Sequence, residues 1–319
     1  MKKIRILVCA ISVLAAGIAL GAFPDKPLRI VQAFSAGGGS DIFLRTILPK
    51  FSENLGQPIV VDYRPGAGGN LAIDAVAKAS PDGYTLLMGF PGLATHPSLY
   101  EKLPFDPLRD LAPVSLVGSV ANVLVVNADV PAGSVRELVA LAKSQPGKLN
   151  YASPGQGTTQ HLAAELFRLT AGIDVMHIPY KGGGQAQTDV AGGQAQMMFN
   201  VVPSALPLIR AGKLKALAVT GKTRAESLPE VPTMIEAGVP GYSAITWNGI
   251  LTTAGTPKEV VAKLNDALVR TMKTAEMKDA LAKLGQEVAW STPEEFAAFL
   301  REETEKWRKV IQATGLKAQ

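Results

Sequence analysis

The chain has 319 residues, 47% of them hydrophobic, and a formal net charge of +5. A chain of this length supports about two domains, each able to bury a core. Lys2, Lys3 and Arg5 stand in the first 22 residues without an acid, leaving only +2 in the remainder, which gives no electrostatic footprint for nucleic acid.

Residues 1–22 read as a secretory signal peptide, with a basic head followed by an apolar stretch over 6–20. That stretch is shorter than the ~20 residues a membrane-spanning helix needs. Ala19 and Gly21 supply small residues for cleavage, with a cut after Ala22 as the neighbouring choice. The expected location is therefore the periplasm. The only cysteine, Cys9, lies in this leader behind Val8, where a lipoprotein signal wants a small residue. The mature chain then has no disulfide, thiolate metal site or cysteine nucleophile.

After the leader, short apolar runs alternate with helical patterns, the signature of an α/β protein with mainly parallel sheets. The pattern predicts strands over 28–34, 58–63, 84–90, 114–117, 123–127, 149–153, 175–179, 195–199 and 215–220. Helices are predicted over 40–55, 70–79, 135–144, 159–171, 204–211, 257–273 and 293–313. Val260, Val261, Leu264 and Leu268 form one stripe, and Phe296, Phe299, Leu300, Trp307, Val310 and Ile311 another, both suited to core packing. The proline-rich stretch 91–110 reads as an irregular loop over a cleft. Extended runs at 116–127 and 242–253 read as crossings between two lobes, with the C-terminal helices returning to the first.

Two glycine-rich turns carry the functional signal. Phe34, Ser35, Ala36, Gly37, Gly38, Gly39, Ser40 and Asp41 follow one predicted strand; Ser153, Gln156, Gly157, Thr158 and Thr159 follow another. Each turn opens a predicted helix. A helix start leaves about four N–H donors unpaired, with partial positive charge, and glycine lets them approach a guest. Both turns have the address where open α/β sheets bind ligands, and both suit an anion. Ser40 is placed to cap its helix, and Thr158 and Thr159 add hydroxyls. Two such turns predict two lobes gripping one small acid.

Other segments have weaker claims. Residues 66–70 (Gly-Ala-Gly-Gly-Asn) lack the last glycine of a dinucleotide fingerprint, as does the turn at Gly155. Gly221-Lys-Thr223 lacks the upstream glycine of a phosphate loop. No nucleotide or other cofactor is therefore expected. His96, His161 and His177 lack helical metal spacing, and no metal site is expected. His161 is the histidine nearest an anion turn. Tyr180 and Lys181, before a run of three glycines, and Asn200, at a strand end, are candidate cleft residues. Trp247 reads as a core or hinge aromatic. No Gly-x-Ser-x-Gly elbow occurs, although a spatially assembled Ser–His pair would support a rival reading as an exported hydrolase of small esters.

The opening Phe23-Pro-Asp-Lys-Pro-Leu-Arg-Ile-Val31, the Phe34–Asp41 turn, Arg64-Pro-Gly-Ala-Gly-Gly-Asn70, Ala79-Ser-Pro-Asp-Gly-Tyr-Thr-Leu-Leu87, the run from Tyr151 to Leu162, and Leu228-Pro-Glu-Val-Pro-Thr233 occur in this order. Together they resemble the extracytoplasmic solute receptors of tripartite tricarboxylate transporters, the Bug family, over nearly all of the mature chain. The resemblance implies a two-lobed periplasmic-binding-protein fold of type II, the Venus flytrap. The lobes would comprise residues 23–120 with 245–319, and residues 121–244. It implies a non-enzymatic monomer that holds a ligand carboxylate at the two turns, partly through water. The large and small membrane subunits of the transporter would receive the solute; a membrane sensor kinase is the alternative recipient. Asn200-Val201 stands where the family usually has Asp-Asn, and Ala33 and Ser35 where it often has proline. The ligand of a relative therefore does not transfer directly.

Overall fold

The computed structural model describes residues 23–37, 39–180 and 182–317. The leader, Gly38 and Lys181 lie outside the described residues. The chain begins β1 (Leu28–Gln32), α1 (Gly39–Leu55), β2 (Ile59–Tyr63), α2 (Asn70–Ala77), β3 (Thr85–Gly89), α3 (Gly92–Leu99) and α4 (Pro107–Asp110). A long strand, β4 (Leu111–Asn127), leads into α5 (Val135–Ser144), β5 (Asn150–Ser153), α6 (Thr159–Ala171), β6 (Met176–Pro179), α7 (Gly183–Ala191), β7 (Met197–Val201), α8 (Val202–Arg210) and β8 (Leu214–Val219). The return path is β9 (Ile245–Thr253), α9 (Lys258–Met272), α10 (Ala275–Lys283), β10 (Glu287–Val288) and α11 (Pro293–Thr314).

The strand order is β2-β1-β3-β9-β4-β7-β5-β6, with β8 and β10 also paired to β4. The groups β2-β1-β3 and β7-β5-β6 are parallel. The rest is not: β9 runs antiparallel to β3 and β4, and β4 antiparallel to β7, β8 and β10. Each half thus has a parallel trio, and the two crossing strands that join them run antiparallel to their neighbours. The reason is directional, since β4 leaves the first half and β9 re-enters it. The early part of β4 pairs with β9, and residues 122–127 pair with the second half's strands. Pro113, which has no N–H to give the ladder, sits at a register shift where its loss is absorbed.

Each half has its own apolar cluster. Leu28, Ile30, Phe43 and Phe51 pack with Val260, Leu264 and Leu268 in the first half. Val123, Val125, Met198 and Val219 pack in the second. A third cluster runs through both, linking Val31, Phe90 and Leu93 to Tyr151, Phe167 and Phe199 by way of Trp247 and Trp307. Residues 114–117 and 123–127, expected as separate strands, form one strand. The stretch 91–110, expected to be irregular, contains α3 and α4. Pro97 inside α3 and the α-averse position of His96 before it conceal that helix in the sequence. Burial of Leu93, Ala94, Thr95, His96 and Leu99 holds it in place.

The C-terminal helices divide their work. α9 and α10 pack on α1, whereas α11 packs on α3 and β4 and also reaches α6. The start of α11 is fixed by a reciprocal cap: the Thr292 hydroxyl accepts from the Glu295 N–H, and the Glu295 carboxylate accepts from the Thr292 N–H. Its buried face presents Phe296, Leu300, Trp307, Val310 and Ile311. Tyr242 adds a link across the second half, its hydroxyl donating to the Ala163 carbonyl at 2.6 Å.

Candidate functional site

A cavity of about 580 Å³ lies between the two halves. Phe34 and Ser40 line it from the first turn, and residues 156–160 from the second. Its remaining walls come from Gly68, from residues 90–100 around α3, from residues 246–248 of β9, and from Trp307 and Lys317 near the C-terminus. The two glycine turns, about 120 residues apart in the chain, therefore face one space. A Cβ added to Gly157 would stand 3.6 Å from the Leu99 Cδ1 atom, so the second turn and α3 nearly touch.

At the first turn Asp41 faces inward and does not line the cavity. Its carboxylate is buried and accepts from the Gly37 N–H at 2.8 Å, the Tyr63 hydroxyl at 2.6 Å and the Arg45 Nε at 3.0 Å. Burial pushes this carboxyl up, but those hydrogen bonds and the guanidinium outweigh it and hold it below the usual range. Asp41 thus clamps the turn. Arg45, one helical turn on, is spent on Asp41 and on the Tyr63 hydroxyl. Ser40 lies inside the first turn of α1 and its hydroxyl accepts from the Gln32 amide at 3.3 Å. Ser35, Ala36, Gly37 and Gly39 belong to the turn without lining the cavity.

The second turn is built around buried groups. Thr158 caps α6, its hydroxyl accepting from the His161 N–H, and that hydroxyl donates to the Gly155 carbonyl at 2.8 Å. The Gly157 N–H donates to His161 Nδ1 at 2.9 Å. The amide that sequence reasoning offers to an anion is therefore committed to a histidine, and Nδ1 must be unprotonated to accept it. Gly157 adopts φ +76°, a conformation that favours glycine. Thr159 and Gln160, at the helix start, remain the turn's forward-facing donors.

Beneath the turn His161 stacks on His177 at 4.0 Å between ring centres, and His177 stacks on Tyr151 at 4.8 Å. His177 Nε2 lies 2.7 Å from the Ser153 hydroxyl. The Tyr151 hydroxyl donates to Glu165 at 2.5 Å, and Arg168 pairs with the same carboxylate. Burial, followed by the nearby His177, pushes His161 down to about 4, against the opposing field of Glu165. Burial also lowers His177. Ser153 and His177 form the close Ser–His pair a hydrolase would need, but Ser153 is 0% exposed and does not line the cavity. The pair supports the turn and offers no nucleophile to a substrate.

Tyr180 and Asn200 also stand away from the cavity lining. Tyr180 N–H donates to the Ser153 carbonyl, and its ring hydroxyl engages Asp189. The Asn200 amide donates to Gln187, and its oxygen accepts the Val201 N–H at 2.9 Å, closing the end of β7. Among the described residues no group of three or more His, Cys, Asp or Glu is arranged to hold a metal.

The aromatic wall escaped sequence reasoning. Phe34 meets Phe90 edge-on at 4.9 Å, Phe90 meets His96 at 5.8 Å, and His96 meets Tyr100 at 5.1 Å. Asn70 accepts from His96 Nδ1 at 2.6 Å, and burial pushes His96 down to about 4. Residues 66–70 earn their glycines here, since a Cβ at Gly68 would stand 2.6 Å from the Tyr100 hydroxyl. The aromatic spacing in the sequence gives no signal of this wall, because its members meet only through the fold.

Two α/β halves joined by crossing strands, with a lined cavity between them, define the class of periplasmic solute-binding receptors. Solved structures agree. A Rhodopseudomonas palustris protein with adipate is 34% identical, with a TM-score of 0.76 over 92% of this chain and 99% of that one. The malate-bound MatC of Rhodopseudomonas palustris is 32% identical, with a TM-score of 0.72 over 91% of this chain and 100% of that one. BugT of Bordetella pertussis is 36% identical over 95% of this chain and 94% of its own length. The chain belongs to the tripartite tricarboxylate transporter family receptors, whose family model matches residues 43–316. It is a receptor of the Bug type rather than an enzyme.

Proposed function

We propose that this receptor binds a small organic carboxylate in the cavity between its halves and delivers it from the periplasm to the large and small membrane subunits of a tripartite tricarboxylate transporter. The observation that carries the reading is that two glycine turns from different halves line a single cavity. The carboxylate docks at the start of α6, where the Thr159 and Gln160 amides and the Thr159 hydroxyl are on offer, with Phe34 and Ser40 of the first turn opposite. Ser153, Asp41, Tyr180 and Asn200 act behind this surface by fixing its shape. Two neighbours in the same fold were solved with adipate and malate, both carboxylates.

The magnitudes suit a transport receptor. Micromolar affinity needs about 8 kcal/mol net. A hydrogen bond to a charged group contributes about 1.5–3 kcal/mol before ordering costs, so burial of the ligand body must supply the rest. A guest that touches both halves favours the closed arrangement of residues 23–120 and 245–319 over residues 121–244. The test is a thermal-shift screen of mono-, di- and tricarboxylates on the mature protein, followed by small-angle scattering with the best hit. A raised midpoint and a smaller radius of gyration are expected. No shift from any acid at millimolar concentration would refute the proposal.

A further inference from the structure

Resting on that carboxylate-receptor reading, we propose that the guest is a monocarboxylate whose body is a flat ring with a neutral hydrogen-bonding substituent, and not a di- or tricarboxylate.

Charge argues first. Among the described residues lining the cavity the only charged one is Lys317, and its ammonium sits 2.7 Å from the Glu101 carboxylate. Arg45, the cation nearest the first turn, is committed to Asp41 and Tyr63. His96 holds its proton on Nδ1 for Asn70, and burial keeps the ring neutral at physiological pH. The start of α6 can meet one carboxylate. A second, buried among these walls, would meet no free cation, and the start of α1 opposite is already taken by the carboxylate of its own Asp41, which accepts the Gly37 N–H.

Shape argues next. Phe34, Phe90 and Tyr100 offer ring faces and edges on one side, with Leu99 and Leu162 near the second turn. Aromatic pairs gain from offset and edge-on contact, which a planar guest can supply and a flexible chain diacid cannot. At the β9 wall the Trp247 Nε1 and Thr246 Oγ1 atoms are buried without any hydrogen-bond partner, and both residues line the cavity. Trp247 is itself 0% exposed. A buried N–H without an acceptor is costly. A hydroxyl or carbonyl oxygen on the ring would satisfy the indole N–H, whereas Thr246, its neighbour along β9, projects to the other face of the strand.

Calorimetry on the mature protein with benzoate, 3- and 4-hydroxybenzoate, hexanoate, adipate, malate and citrate tests this. The ring acids are expected to bind at least about 10-fold more tightly than adipate, malate and citrate, with a hydroxybenzoate ahead of benzoate. Trp247→Phe should reduce that hydroxyl preference, and if that variant does not fold, the wild-type ranking still decides. Adipate, malate or citrate binding as tightly as the ring acids overturns the ring inference and leaves the receptor reading standing. Hexanoate matching benzoate also overturns it. Equal affinity for benzoate and both hydroxybenzoates overturns the substituent. Binding of none of these acids overturns the ring inference, and the thermal-shift screen then decides whether the receptor reading falls with it.

Discussion

Acid should loosen the support beneath the second turn, and the effect can be sized. His161 is 1% exposed, accepts the Gly157 N–H at Nδ1, and lies flat on His177. Glu165, Arg168 and Tyr151 are the other titratable groups of that buried cluster. A histidine in the unfolded chain titrates near ~6.5, whereas burial holds His161 at about 4. Above pH 6.5 the ring is neutral in both states and its contribution is intact. As the pH falls below 6.5 the unfolded chain takes the proton first, so stability declines until about pH 4. The loss attributable to His161 is about 2 kcal/mol at pH 5 and about 3 kcal/mol at its limit. Urea unfolding of the wild type and of His161→Gln at pH 7.5 and pH 5 isolates it, because His96 titrates in the same direction in both proteins. The variant should lose about 2 kcal/mol less than the wild type on acidification. Equal losses would show that the ring is not held neutral by its surroundings.

Three further outcomes follow from the geometry. Gly157→Val forces a β-branched residue into φ +76° and sets it against Leu99. Ligand affinity by calorimetry should fall at least about 10-fold while the circular dichroism spectrum is retained; unchanged affinity would remove the turn from the site. Asp41→Asn should lower stability in urea by about 2 kcal/mol at pH 7. That difference should shrink as the pH drops below the ordinary carboxylate range and through the depressed range of the native carboxyl, where the wild type too is protonated; a difference independent of pH would contradict this. Tyr242→Phe removes one buried hydroxyl bond to Ala163 and should cost about 1 kcal/mol by the same assay, with no change beyond error counting against that bond.

What the sequence revealed follows the range of the forces involved. Strands β1, β2 and β3 and helices α5 and α6 are dictated by local periodicity and caps, and they fall within a few residues of the predicted bounds. The glycine turns are equally local, since positive φ at Gly37 and Gly157 is a property of single residues. Helix α3 was hidden because Pro97 breaks the local pattern that burial then overrides. The inward aim of Asp41 was hidden because its partners Tyr63 and Arg45 are set by packing. The aromatic wall gathers Phe34, Phe90, Tyr100, Trp247 and Trp307 from distant parts of the chain. No window of sequence contains it.

The position of β9 has a consequence for how the molecule is assembled. It lies between β3 and β4, which therefore do not pair with each other across the gap it fills. A chain growing from its N-terminus has β1 to β4 in hand but no seam to join them until residues 245–253 are made. The first half should thus finish folding after the second, and a fragment ending before residue 245 should expose two unpaired strand edges and aggregate.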